Sequence, residues 1–401
     1  MIALYSFAIG LVVWLVLVPI ELLRIAARRS TLQTLAERLG RLHIAAPKRR
    51  RILIHAVSAG EMNAASALVH ELARRDCSFV LSAGNADARR TALRIRSYHS
   101  EVDSVVAAPW DRRNAMRRWL TEVRCDAVIV IETEIWPNLF VTCGEMGIPL
   151  VIAGARIDRR ACARYRMLRF FFADVLAAAE AIVAVDEVAK RRYLAIGAPA
   201  ARATAGGNLK PDACLIVHDA ADRVACERKV VAAVNTHPGE EALIGNALRA
   251  CGDVDLVFAP RHVRRASAVR RSTRATVVDR MGMLARVYAN ADVVIIGGTF
   301  VDAGGHDVFE AARAGCAIVV GPHIDSICDS VTAMLERNAI RTATAESLPR
   351  VVASLLNDAA DRERLRENAR AFAASRSGAA ARCANLIEAL FAPKAKAGCA
   401  M

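Results

Sequence analysis

The longest uninterrupted apolar run opens the chain. Residues 2–20, IALYSFAIGLVVWLVLVPI, carry no charge, and at 19 residues they are about long enough to cross the hydrocarbon core of a bilayer. Nothing basic precedes the run except the terminal amine, whereas Arg24, Arg28 and Arg29 follow it. A secretory signal has the opposite arrangement. The positive-inside bias therefore keeps the bulk of the chain cytoplasmic, with residues 1–29 as an N-terminal anchor. The alternative is a helix lying within one leaflet. Both readings put the protein on the cytoplasmic face of a membrane.

From residue 51 the pattern changes. Short β-rich runs (RILIHAV, CSFVLSA, VDSVVAAP, DAVIVIE, PLVIAGA, AIVAVD) alternate with stretches of helical character. That alternation predicts βαβ units and a parallel sheet. ATAGGNLKPDACL, with Gly206, Gly207 and Pro211, interrupts the series near residues 203–215. A second series follows: KVVAAVN, VDLVFAP, ATVVD, DVVIIGG and CAIVVG. The expected organisation is an α/β domain over 30–205, a hinge over 206–222, a second α/β domain over 223–385 and a disordered tail over 386–401.

The 401-residue length suits two ordinary domains, and an apolar fraction of 54% suits two cores. The formal net charge of +14 favours polyanionic partners: nucleic acid, anionic lipid or phosphorylated substrates. Runs such as PKRRR (47–51) suit anionic headgroups or simply a solvated surface. The eleven cysteines form no C-x-x-C pair and no zinc-ligand spacing, so neither a disulfide framework nor a structural metal is expected.

Candidate chemistry gathers where apolar runs stop. In HAVSAGEMNAA (55–65), Ser58 and Glu61 have capping-box spacing. Glu61 reads either as a plain cap or as a base at the carboxyl end of a strand, where open α/β sheets bind ligands. IETEIWPN (131–138) places Glu132 and Glu134 at a strand end, to hold or activate a hydroxyl or to cap the helix after Pro137. NTHPGEE (235–241) reads as a capped helix start. FAPRH (258–262) ends in Arg261, a natural ligand for phosphate or carboxylate, and His262. IIGGTFVDAGGHDVFEAARAG (295–315) ends a buried strand in Gly297-Gly298 and continues through a glycine loop to a helix near Asp307. The backbone amides of such a loop predict an anion site, with Glu310 placed to accept bonds from ribose hydroxyls. It is neither a G-x-G-x-x-G fingerprint nor a P-loop.

Taken in order, ERLG (37–40), HAVSAGE, ETEIWPNL, GNLKPD (207–212), NTHPGEE, APRH, MGMLARVYANADVVIIGGTFV and GGHDVFEA resemble the Kdo transferases of lipopolysaccharide synthesis, over nearly the whole chain to about residue 330. The resemblance implies the GT-B fold: two Rossmann-like domains with parallel sheets facing a cleft, here with an N-terminal membrane-anchor helix. It implies inverting, metal-independent and cofactor-free transfer of 3-deoxy-D-manno-oct-2-ulosonic acid (Kdo) from CMP-Kdo to the lipid A precursor, lipid IVA, at the inner membrane. Glu61, in the family's S-x-G-E motif with Ser58 and Gly60, matches the catalytic base. Glu132 or Glu134 would place the acceptor. Lys210, Arg261 and His262 would hold the CMP phosphate or the Kdo carboxylate. The loop with Gly297, Gly298 and Gly305, together with Asp307 and Glu310, would bind the cytidine nucleotide. The implied partners are a CMP-sugar donor, the lipid A precursor and an anionic membrane surface, with no nucleic acid.

The chain departs from the family pattern at Asp307, where Asn is usual, at Met283 in place of Glu, and at Asp158 in place of Ser. A second anion beside an anionic donor costs on the order of 1 kcal/mol. Two alternatives therefore stand beside the main reading: a related GT-B transferase with another nucleotide sugar, and a non-catalytic module that binds anionic lipid.

Overall fold

The computed structural model describes residues 1–213, 228–252, 254–273, 275–280 and 282–391. The chain forms two units, Met1–Cys214 with Ser377–Met401, and Leu215–Arg376.

The first unit is built on seven strands: β1 (Arg50–Ala56), β2 (Cys77–Ala83), β3 (Val102–Ala107), β4 (Ala127–Ile131), β5 (Leu150–Ala155), β6 (Ala181–Ala184) and β7 (Ala203–Ala205). Their order is β3-β2-β1-β4-β5-β6-β7, and every pairing is parallel. Helices cover both faces, so the strands read as continuous apolar runs rather than alternating ones. Ile52, Leu53, Ile54, Val128, Ile129 and Val130 are fully buried, and Trp119 and Tyr193 fill the space between sheet and helices. The strand order reverses between β1 and β4. That is the crevice where an open α/β sheet binds ligands.

The second unit has six strands: β8 (Lys229–Thr236), β9 (Val254–Pro260), β10 (Thr276–Val277), β11 (Val293–Ile296), β12 (Ala317–Val320) and β13 (Arg341–Thr342). Their order is β10-β9-β8-β11-β12-β13, again all parallel. Here the order reverses between β8 and β11. The two edge strands β7 and β13 were not expected. They are three and two residues long, too short to show a period of their own.

Two expected boundaries are corrected. The second domain ends at Arg376, not at 385. Helix Ala379–Phe391 belongs with the first unit, because Asp212 accepts the amides of Gly378 and Ala380, each at 2.7 Å. Arg75 also bonds Asn385 and Glu388. The disordered tail expected from 386 is helical as far as Phe391, and residues 392–401 lie outside the described residues. Of the expected hinge, 214–222 also lie outside them. Residues 206–213 are ordered by Gly206 and Gly207 donating to Ala184 and by a turn at Lys210–Asp212.

The N-terminal helix runs from Ile2 to Ala26 and is long and apolar enough to cross a membrane. It widens into a π-turn over Val13–Leu17, just before Pro19, which has no amide to donate back to Leu15.

Candidate active site

β1 ends in a turn at Val57-Ser58, and helix Ala59–Ala73 begins at once. Ser58 is its N-cap: its hydroxyl accepts the Glu61 amide at 3.2 Å. Glu61 reaches back. Its Oε2 accepts the Val57 amide at 2.7 Å and the Ser58 amide at 3.3 Å, and its Oε1 accepts the Ser58 hydroxyl at 3.0 Å. A carboxylate has about four lone-pair sites, so one position remains to receive a proton. Gly60 is exposed, and a Cβ there would meet nothing closer than Ser58 Oγ at 3.9 Å. The backbone itself does not demand glycine. Its absent side chain leaves space beside the carboxylate.

Across the crevice, β4 ends at Ile131 and Glu132 opens the turn that follows. This residue sits at φ +61°, in the left-handed region that non-glycine residues seldom occupy. Its amide donates to Ala153 and its carbonyl accepts the Tyr193 hydroxyl at 3.3 Å, so the strained turn is pinned from both sides. The twist aims the carboxylate at Lys210 Nζ, 3.1 Å away, with Arg156 at 3.9 Å. Lys210, expected on the donor, is thus engaged by Glu132. Glu134 accepts the Trp136 indole N–H at 2.7 Å. Burial pushes its carboxyl above the usual range, the nearby Glu61 and Glu132 add to that push, and the indole bond opposes it. Below this layer His55 packs edge-on against Trp136, with ring centroids 4.5 Å apart, and its Nδ1 lies 3.0 Å from Ser82 Oγ. Among the described residues, its Nε2 is buried without a hydrogen-bond partner. Burial, then the charge of Arg38, holds the imidazole down to about 3, so it is neutral at any physiological pH. ERLG has a structural role: Arg38 ties the carbonyls of Gly84 and Ala108 together beside this edge, and Glu37 accepts the Ala107 amide.

In the second unit the corresponding corner holds a different arrangement. Helix Glu240–Leu248 starts after Gly239. Glu240 is fully buried, and its carboxylate accepts the amides of His237 (2.9 Å), Gly298 (2.8 Å), Thr299 (3.1 Å) and Phe300 (2.9 Å). This corrects the expected anion site in the glycine loop. Its first amides already hold an anion, and that anion is Glu240. Gly297 is required by packing, since a Cβ would lie 2.5 Å from the Asn235 carbonyl. Gly305, at φ +82°, donates to the Gly298 carbonyl and closes the loop. The helix expected near Asp307 is only Phe309–Arg313, with Glu310 half-buried in its first turn.

Glu241 is taken by the Thr236 hydroxyl and Arg265. Arg261 and His262, by contrast, stand exposed at the end of β9. A histidine pair faces the same edge: His237 and His306 stack, with Nε2 atoms 2.8 Å apart. Burial, then Arg261 and the other two histidines, holds His306 down to about 4. One of the two nitrogens must donate and the other accept. His237, His306 and Glu240 lay inside recognised motifs without an assigned role. The spacing His237-x-x-Glu240 repeats Ser58-x-x-Glu61 and could have flagged Glu240.

Two of the three departures keep the local bonding. Asp158 caps helix Arg159–Met167 by accepting the Ala161 amide, and Asp307 accepts the Phe309 amide. Ser and Asn do the same at such positions. Met283 precedes helix Leu284–Asn290 without a side-chain cap. Among the described residues, no group of three or more His, Cys, Asp or Glu is placed to hold a metal ion.

Two parallel-sheet domains, each with its chemical groups at the strand-order reversal, define the GT-B architecture. UDP-GlcNAc 2-epimerase from Neisseria meningitidis bound to UDP-GlcNAc shares the fold, with a TM-score of 0.60 at 12% identity over 85% of this chain and 99% of that one. Residues 33–213 match the model of the 3-deoxy-D-manno-octulosonic-acid transferase (kdotransferase) family, and residues 265–372 match that of glycosyl transferases group 1. The 3-deoxy-D-manno-octulosonic acid transferase of Haemophilus influenzae is 29% identical over 386 residues, covering 88% of this chain and 90% of the relative. That of Bordetella pertussis is 28% identical over 380 residues, covering 86% and 88%. Over most of its length the chain is similar to Kdo transferases.

Proposed function

We propose that this protein transfers Kdo from CMP-Kdo to a hydroxyl of the lipid A precursor, with inversion and without a metal, at the cytoplasmic face of the inner membrane. The observation that carries the reading is Glu61: a carboxylate held by three donors at the first sheet's crevice, with one acceptor position left. The acceptor hydroxyl gives its proton to that position as its oxygen attacks the anomeric carbon. The bond from that carbon to the CMP phosphate oxygen breaks with its electron pair, and CMP leaves. One displacement inverts the centre. The capping box fixes the orientation of the Glu61 carboxylate, and its remaining acceptor position takes the proton.

Lys210 and Glu132 position the acceptor as a unit, with the charge of Glu132 felt at Glu134. Arg261 and His262 take the donor's phosphate or carboxylate, with the His237–His306 pair beside them. Asp307 and Glu310, with the loop of Gly297, Gly298 and Gly305, serve the nucleotide through the loop's shape rather than through the amides that Glu240 occupies. The relatives' names support the choice of sugar.

The test is a transfer assay in EDTA with lipid A precursor and CMP-Kdo generated in situ. Wild type is expected to give product and Glu61→Ala none. Product from Glu61→Ala within tenfold of wild type overturns the assignment of the base. Absence of product from wild type, with CMP still binding in a parallel titration, overturns the assignment of the sugar.

A further inference from the structure

The N-terminal helix does not stand clear of its domain. Residues 2, 5, 6, 9, 10, 13, 17, 18, 21 and 25 form its less exposed stripe, with the spacing of one helical face. Near its start, the Tyr5 hydroxyl donates to Asp111 at 2.9 Å and the Ser6 hydroxyl to Asn138 at 2.5 Å, both partners being buried. Tyr5 also packs on Phe171, with ring centroids 5.8 Å apart. In the middle, Val13 is fully buried and the Arg112 guanidinium lies 5.3 Å from the Trp14 ring centroid. Near its end, the buried Glu21 accepts the Ser30 hydroxyl and pairs with Arg24. The bonds of Glu21 stay within residues 21–30, so the contacts to the domain run from Tyr5 to Trp14, roughly 14 Å. A helix crossing a bilayer would have to break these bonds and leave buried polar groups unpaired, or drag Asp111 and Asn138 into hydrocarbon.

The opposite face is apolar and bare. Leu4 and Phe7 are 71% and 66% exposed, and Leu11, Leu15 and Leu23 continue the row. It extends beyond the helix. Phe171 turns inward onto Tyr5, while its neighbour Phe170 is 80% exposed and Met167 85% exposed, at the junction of helices Arg159–Met167 and Arg169–Leu176. Arginines crowd this tip: residues 156–176 hold six, against two acids, Asp158 and Asp174.

We propose that the helix lies in the plane of one leaflet, docked on its domain, and that the tip at Met167–Phe170 is a second insertion point whose arginines take anionic lipid phosphates. The occupant is an anionic bilayer surface, argued from this charge complementarity and from an apolar face larger than isolated surface residues produce. This rests on the membrane part of the proposed function and not on its sugar chemistry.

The test uses the full chain with a protease-cleavable N-terminal tag, added by detergent dilution to preformed phosphatidylethanolamine–phosphatidylglycerol vesicles. No sugar donor is present, so failure here is separate from failure of transfer. The tag should be cleaved from outside as fast as in detergent. Protection until the vesicles are lysed means the helix spans, and overturns the proposal. Met167→Ser/Phe170→Ser should lower the vesicle-bound fraction about tenfold, from the lost burial of two large apolar side chains. Leu93→Ser, an exposed leucine on another helix, is the control and should bind as wild type. Thermal melts verify that each variant folds. Wild-type binding by the tip variant overturns the second insertion point. A change in oligomeric state without a change in vesicle binding assigns the face to a second copy, and overturns the membrane occupant.

Discussion

Lys210 and Glu132 form an ion pair at 3.1 Å, although they lie on segments almost eighty residues apart. Lys210 comes from the turn after β7 and Glu132 from the strained turn after β4. Both are largely shielded, with side-chain exposures of 26% and 13%. Lys210→Met leaves Glu132 with only Arg156 at 3.9 Å. Removing one partner of such a pair is expected to cost about 1–3 kcal/mol, and transfer should fall at least tenfold. A double-mutant cycle with Glu132→Gln checks it. The coupling should cancel most of the second loss, whereas additive losses mean the two act separately.

Glu134 carries a second expectation. Its folded carboxyl is raised above its unfolded value, so its ionisation opposes folding once the pH exceeds the unfolded value, and stability falls as pH rises through the folded one. Glu134→Gln removes that opposition and still accepts the Trp136 N–H. It should melt at the same or a higher temperature at neutral pH while losing transfer activity. A variant that is less stable and equally active contradicts this.

Glu240 should behave in the opposite way. Replacing it with Ala strands four amides at once, three of them buried. The second domain should lose about 3 kcal/mol or more. Amide exchange at Gly298, Thr299 and Phe300 should rise well before global unfolding, and CMP binding should weaken with it. Unchanged protection at those three amides would show that the loop holds its own shape.

His55 predicts the acid side of the stability curve. Its folded imidazole is held down to about 3, against an ordinary 6.5. The unfolded chain therefore binds the extra proton between those values. Stability is complete above about 6.5 and is lost as pH falls towards 3, by up to a few kcal/mol from this side chain. Urea titrations across that window should show a shallower slope for His55→Gln than for wild type. Parallel slopes would mean that other groups carry the acid lability.

Much of this was legible in the sequence because the signals are local. Strand runs ending in Ser58, Glu132, Thr236 and Gly297 mark where the chain turns at the carboxyl edge. The S-x-x-E spacing predicted a capping box that is present at 3.0–3.3 Å between Ser58 and Glu61. The cap and base readings of Glu61 are compatible, because the box consumes three of its acceptor sites and leaves a fourth. Less legible were the C-terminal helix, whose return to the first unit depends on Asp212, and the anion already seated in the glycine loop.

The sequence by itself determined the two parallel sheets, the positions of their carboxyl-edge turns and the amphipathic helices that cover them. Each of these follows from periodicity and turn chemistry within a few residues. Only the tertiary structure decided what each charged group faces. Ser58-x-x-Glu61 and His237-x-x-Glu240 share one spacing. Yet Glu61 keeps an open acceptor site, while Glu240 turns inward to hold Gly298, Thr299 and Phe300. Those partners lie almost sixty residues away in the loop after β11, and no local pattern encodes such a meeting. The apolar N-terminal run is a similar case. Composition alone admits a spanning helix, whereas hydrogen bonds from Tyr5 and Ser6 to Asp111 and Asn138 lay it against the domain.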